Sequence, residues 1–174
     1  VTEARPPNPL GDALAEELKW VHDMIRRDLV TVRRMAAEAA AGRPSADLQA
    51  ELAALATNSP LWQLKINCLQ YCHFVHSHHH AESVLLFPEL RRTNPALNPV
   101  VDRLEADHAR VSDLLDEVEA AAQALRGKDD SAMRQRLVDA LQNLTVELLA
   151  HLRYEEEQIS GTLRTWTRWP FQGG

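Results

Sequence analysis

Apolar residues recur every three or four positions along four separate stretches of the chain, and nowhere do they alternate as a half-buried strand would. The first stretch gives Leu14, Leu18, His22, Ile25, Leu29 and Val32; the second gives Leu61, Leu64, Cys68, Tyr71, Val75, His78, Glu82 and Leu85. The third gives Val101, Leu104, His108, Val111, Leu115 and Val118, and the fourth Leu137, Leu141, Leu144, Leu148, His151 and Glu155. Each set lines one face of a helix. Four such faces predict an all-α fold, an antiparallel up-down four-helix bundle.

Punctuation between the stretches sets the boundaries. Asp12 to Ala41 lacks Gly and Pro and stops at Gly42-Arg43-Pro44. Ser45 is placed to cap one extra short helix over residues 46–56. Ser59-Pro60 opens a helix running to about Arg92, in which Pro88 should kink or loosen the last turn. Asn98-Pro99 repeats that start signal for a helix ending near Leu125, before Gly127, and Asp130-Ser131 opens the last one, to about Ser160. The tail, Gly161 to Gly174, carries Trp166, Trp169 and Phe171 and is expected to fold back on the bundle. The expectation is a single domain over 1–174, with the bundle at about 12–160 and the tail at 161–174.

Composition narrows the setting. A chain of 174 residues, 45% hydrophobic and 25% charged, suffices for one core. A net charge of −6 argues against nucleic acid or an anionic membrane as partner. No apolar run approaches the ~18 residues needed to span a bilayer, and the Pro-rich stretch Val1 to Leu10 shows no secretory apolar core. Cys68 and Cys72, one helical turn apart, are expected as reduced core thiols. A cytoplasmic monomer is the resulting expectation.

The seams, however, are not purely apolar. Each is interrupted near its middle by a histidine (His22, His78, His108, His151), and two carry a glutamate one turn on, Glu82 and Glu155. A buried imidazole or carboxylate without a partner costs several kcal/mol. One core histidine can satisfy itself on a backbone carbonyl, but six ionisable residues facing one another call for a shared partner. Imidazole with carboxylate is a ligand set for non-haem iron, manganese or zinc. The His-x-x-x-Glu spacing turns only ~40° on a helix, so His78 with Glu82, and His151 with Glu155, face one point. Two carboxylates facing each other across a bundle can bridge two metals.

Helical phase sorts the rest of the histidine run. His79 lies ~100° from His78, at the edge of the core face and able to reach in, whereas His73, His76 and His80 point outward. Tyr71, about 10 Å along the axis from His78, is read as packing. Glu156 is rotated ~100° from Glu155 and is assigned to the solvated face. The Arg26-Arg27 and Arg33-Arg34 pairs are likewise assigned to solvent.

The order His22, then His78-His79-His80-Ala81-Glu82 leading into Leu85-Leu86-Phe87-Pro88, then Asp107-His108, then His151-Leu152-Arg153-Tyr154-Glu155-Glu156, resembles the hemerythrin-like, or HHE cation-binding, family in its bacterial branch. The likeness covers roughly Asp12 to Ser160, and the Glu-x-x-His order of ferritin-like bundles is absent. The resemblance implies two iron ions joined by an oxo or hydroxo bridge. It places Glu82 and Glu155 as bridging carboxylates, His22 and His78 on one iron, and His79, His108 and His151 on the other. Invertebrate hemerythrin has two histidines on the third helix and an aspartate bridge on the fourth; here His79 stands in for the missing nitrogen.

Such a centre leaves room for the bridge and one small exogenous ligand: peroxide, dioxygen or nitric oxide. The Leu, Val and Ile around it would exclude polar organic substrates. Three chemistries fit: catalase-like peroxide decomposition in redox or iron homeostasis, reversible dioxygen or nitric oxide binding or sensing without turnover, and iron storage or donation. Nitrogen-rich ligation favours reversible oxygen chemistry over the oxygen activation of carboxylate-rich sites, and peroxide turnover is placed slightly ahead of simple binding. No catalytic residue beyond the metal ligands is expected.

Overall fold

The computed structural model describes residues 7–42, 60–125 and 131–170. All of its regular structure is helical: α1 (Pro9–Ala40), α2 (Pro60–Ala81), a π-helical turn (Glu82–Leu86), α3 (Phe87–Thr93), a short 3-10 turn (Pro95–Leu97), α4 (Asn98–Ala124) and α5 (Ser131–Leu163). With the π turn, α2 and α3 form one rod, which with α1, α4 and α5 makes the predicted bundle. α1 starts one turn before the expected Asp12, because Pro9 occupies the first helical position and Asn8 caps it. α5 runs past Gly161 to Leu163. The short helix expected over 46–56, the capping residues Ser45, Ser59 and Asp130, Gly127 and Phe171 lie outside the described residues.

The helices alternate in direction. One apolar cluster gathers Leu14 and Leu18 from the start of α1, Phe87 and Leu90 from α3, Val101 and Leu104 from the start of α4, and Ile159 and Leu163 from the end of α5. A second, larger cluster holds the opposite halves, including Ile25, Leu29, Cys68, Tyr71, Leu115, Leu141 and Leu144. Both cysteines are free and buried there, as expected of core thiols. Burial pushes the Cys68 thiol up to about 12. The Tyr71 hydroxyl donates to the Ile25 carbonyl at 3.3 Å, so Tyr71 ties α2 to α1 within the core.

Between the two clusters the rod changes pitch. Pro88 has no N–H to offer the carbonyl of Val84, four residues back, and the preceding turn widens so that the Phe87 N–H reaches Glu82 O. The distortion thus precedes Pro88 rather than loosening the last turn. It adds about one residue to the turn and rotates everything downstream: Leu85, expected inward, is 42% exposed, while Leu86 and Phe87 are buried.

The C-terminal segment does fold back. Trp166 is buried, and its Nε1 donates to Thr93 Oγ1 at 3.0 Å. Asn8 Nδ2 donates to the carbonyls of Arg164 (2.8 Å) and Trp166 (2.9 Å), and Arg164 pairs with Asp12 at 3.1 Å. Gly11 permits this closure, since a Cβ there would lie 2.3 Å from the Arg164 carbonyl oxygen.

Candidate metal centre

Four helical rods send polar side chains into the layer between the clusters. α1 supplies His22, α2 supplies His78 and His79, the π turn Glu82, α4 His108, and α5 His151 and Glu155. All are buried except His78, which is half-buried. Both histidines of the pair reach the layer as expected, His79 more deeply than the edge position foresaw and His78 less so. His79 stacks on His108 with ring centroids 4.1 Å apart, and Phe87 stacks on the other side of His108 at 5.0 Å. His73 and His80 are exposed, and His76 is half-buried with Nε2 3.4 Å from Asp116.

The ring nitrogens and carboxylates form two adjoining groups that share Glu82. One is His79, Glu82, His108 and His151; the other is His22, His78 and Glu82. Glu82 Oε1 lies 2.9 Å from His78 Nε2 and 3.7 Å from His22 Nε2, and its Oε2 lies 3.3 Å from His108 Nε2. Glu155 links the groups from the opposite side, with Oε2 3.5 Å from both His22 Nε2 and His151 Nε2.

None of these converging atoms makes a hydrogen bond: the Nε2 atoms of His22, His78, His79, His108 and His151, and both oxygens of Glu82 and of Glu155. Buried polar atoms are seldom left so, and orphaning this many together is destabilising unless a cation gathers their lone pairs. The donor set of imidazole nitrogen and carboxylate oxygen suits iron, manganese or zinc. The residues therefore fit a metal centre.

Electrostatics point the same way. Burial alone would push Glu82 up, but the imidazoles of His78, His108 and His22 around it hold its pKa well below the ordinary value. Burial and the neighbouring Glu82 charge push Glu155 well above its ordinary value. Burial lowers His151 to about 3, and holds His79 well below its usual range, with His108 adding to the effect. His22 goes the other way. Burial opposes its charge, yet Glu156, Glu82 and Glu155 outweigh that and raise it to about 9. Without a cation, protons must occupy part of this layer.

Two residues outside the predicted set, Ser83 and Glu156, stand at hydrogen-bond distance from ligand rings, and a third, Asp107, lies farther off. Ser83 Oγ is 2.9 Å from His108 Nδ1. Asp107, buried on α4, places Oδ2 3.7 Å from His151 Nδ1 and is also engaged by Arg110. Glu156 Oε1 is 2.9 Å from His22 Nδ1 and 2.8 Å from Arg26. This corrects the assignment of Glu156 and Arg26 to solvent. His22 reaches sideways off its seam, so the residue behind it sits on the flank of α5 rather than on its core face. Asp107 and Glu156 each adjoin a predicted ligand in sequence, His108 and Glu155, though each faces a histidine of another helix.

A cavity of about 110 Å³ runs alongside His78 and Glu82. Leu14, Leu18, Val21 and Leu86 form most of its wall, with Glu17 where it nears the surface. Among the described residues no helix is long and apolar enough to cross a membrane.

No curated protein and no solved structure matches the chain. A family model, the hemerythrin HHE cation binding domain, matches residues 14–163, which span α1 through α5 and every residue of the buried layer. With the four-rod bundle and the partnerless imidazoles and carboxylates at its middle, that match makes the chain a cation-binding member of the hemerythrin HHE family, in which iron is the typical metal.

Proposed function

We propose that the chain is a single-domain, oxo- or hydroxo-bridged non-haem di-iron protein. His22 and His78 would hold one iron, His79, His108 and His151 the other, and Glu82 and Glu155 would bridge them. The observation that carries this reading is the convergence of five orphaned imidazole nitrogens on the orphaned Glu82 in two adjoining groups, with the equally orphaned oxygens of Glu155 beside them. Glu82 already stands in both groups, and Glu155 touches one histidine of each.

The proposed reaction is catalase-like, two hydrogen peroxide molecules giving two water and one dioxygen, in redox or iron homeostasis. When bound, the iron pair would supply the two-electron redox capacity that this disproportionation needs. The protein's own part is selection and shielding. The cavity beside His78 admits molecules of a few atoms, and its mostly aliphatic wall gives larger polar substrates little to bind. Ser83 and Glu156 hold His108 and His22 with Nε2 turned toward the carboxylates, so the ligand geometry is set before a metal arrives.

The same small aliphatic cavity suits uncharged dioxygen or nitric oxide, which favours reversible binding as the second reading. Metal analysis and an absorbance spectrum on the untagged protein test the centre: two irons per chain with oxo-ferric bands in the near-ultraviolet are expected. Oxygen evolution from added peroxide then separates the readings. Sustained turnover supports the first, and a stable dioxygen or nitric oxide adduct without turnover supports the second. Zinc, or no metal, would refute both.

A further inference from the structure

Three histidines of the centre show what stands behind their Nδ1 atoms, and the three surroundings differ in charge. His108 meets the neutral hydroxyl of Ser83. His151 Nδ1 has no hydrogen bond, Asp107 Oδ2 lying 3.7 Å away. His22 alone of the three meets a carboxylate at hydrogen-bond distance, Glu156 Oε1 at 2.9 Å.

Glu156 is itself held in place. Its Oε1 also receives Arg26 at 2.8 Å, and the other arm of that guanidinium binds Asp23 Oδ1 at 2.9 Å. Asp23 in turn pairs with Lys19 at 2.5 Å. The chain of alternating charge leads from the buried ring to the surface of α1. Glu156 is 22% exposed, so water screens its charge less than it would on an open helix face.

Resting on the di-iron reading above, we infer that Glu156 is a positioning residue that both orients His22 and makes the two halves of the centre electronically unequal. A carboxylate accepting the Nδ1 proton makes the opposite ring nitrogen a stronger donor. The His22–His78 half therefore favours the higher metal oxidation state more than the half behind Ser83 does. Arg26 moderates the effect by neutralising part of the Glu156 charge.

The test uses the full-length iron-loaded protein and two substitutions, Glu156→Gln and Arg26→Gln. Iron per chain is measured first, then the midpoint potentials by reductive titration followed through the ferric absorbance. Glu156→Gln can still accept the His22 hydrogen bond, so it should keep its iron. It should move one midpoint to more positive potential, by about 59 mV for each tenfold change in the oxidised-to-reduced ratio. Arg26→Gln should move the same midpoint the opposite way. An unmoved midpoint in Glu156→Gln, or shifts of the same sign in both variants, overturns the charge role of Glu156. If Glu156→Gln fails to fold, a negative shift in Arg26→Gln supports that role, and its absence overturns it. A wild-type chain that takes up no iron overturns the di-iron reading itself, a distinguishable failure.

Discussion

The same four-residue spacing occurs twice in the centre and has two different outcomes. His151 and Glu155 sit on an unbroken α-helix, whereas Glu82, four residues after His78, opens a π turn. Glu82 is ringed by three imidazoles and is held ionised. Glu155 faces fewer imidazoles and an ionised Glu82, and is pushed toward its neutral form. Identical motifs therefore need not carry identical charge. What decides is the set of imidazoles and carboxylates that the neighbouring helices bring to each one.

The sharpest way to break the comparison is to remove a histidine from the regular copy. His151→Ala is expected to strip most of the bound iron, while costing the metal-free bundle less than Leu148→Ala, which removes a buried side chain worth about 2–5 kcal/mol. Metal analysis alongside urea unfolding decides it; full iron retention would refute the ligand assignment.

Exchanging the carboxylates compares the two copies directly. In the metal-free protein, Glu82→Gln should cost about 3 kcal/mol, because it removes the buried charge that faces three imidazoles. Glu155→Gln should cost under about 1 kcal/mol, since it replaces a group already inclined to be neutral. Equal costs in denaturant melts would mean that the two sites are electrostatically alike.

Acidity sharpens the picture further. The raised His22 pKa, from 6.5 to about 9, means that the folded metal-free chain holds a proton the unfolded chain releases. Its contribution is present below pH 6.5 and is lost as pH rises through 9, up to about 3 kcal/mol. Glu155, also raised, acts in the same direction. Above the ordinary imidazole range, where the depressed His79 and His151 no longer contribute, stability measured from about pH 7 to 9 should therefore fall in metal-free protein and stay flatter once metal replaces the proton. The smallest expected effect is at the outward edge of the histidine run: His80→Ala should leave iron content and absorbance unchanged, and any loss of iron would disprove the helical phase.

Much of this was legible in the sequence because burial follows a 3.6-residue period. Leu14 through Val32 and Leu137 through Glu155 occupy the faces that periodicity assigns them. The rod from Pro60 departs from the pattern at Leu85, where one inserted residue re-phases everything after Glu82; the Leu86-Phe87 pair before Pro88 is the trace it leaves in sequence. Glu156 and Arg26 were illegible for a different reason. Helical phase locates a Cα on a face, but a histidine side chain reaches several ångströms sideways and recruits partners from the flanks. Ser83 escaped notice because the widened turn carries it toward His108.

The buried layer also divides the molecule for folding. Leucines pack on both sides of it, in two clusters that touch across imidazoles and carboxylates rather than across methyl groups. Among the described residues the two buried apolar clusters are separate, so without a cation each is expected to open more independently of the other. A metal bound between them would fuse the units into one. Amide exchange rates in Leu90 and Leu104, on one side, and in Leu115 and Leu141, on the other, would then change from two classes to one when metal is added.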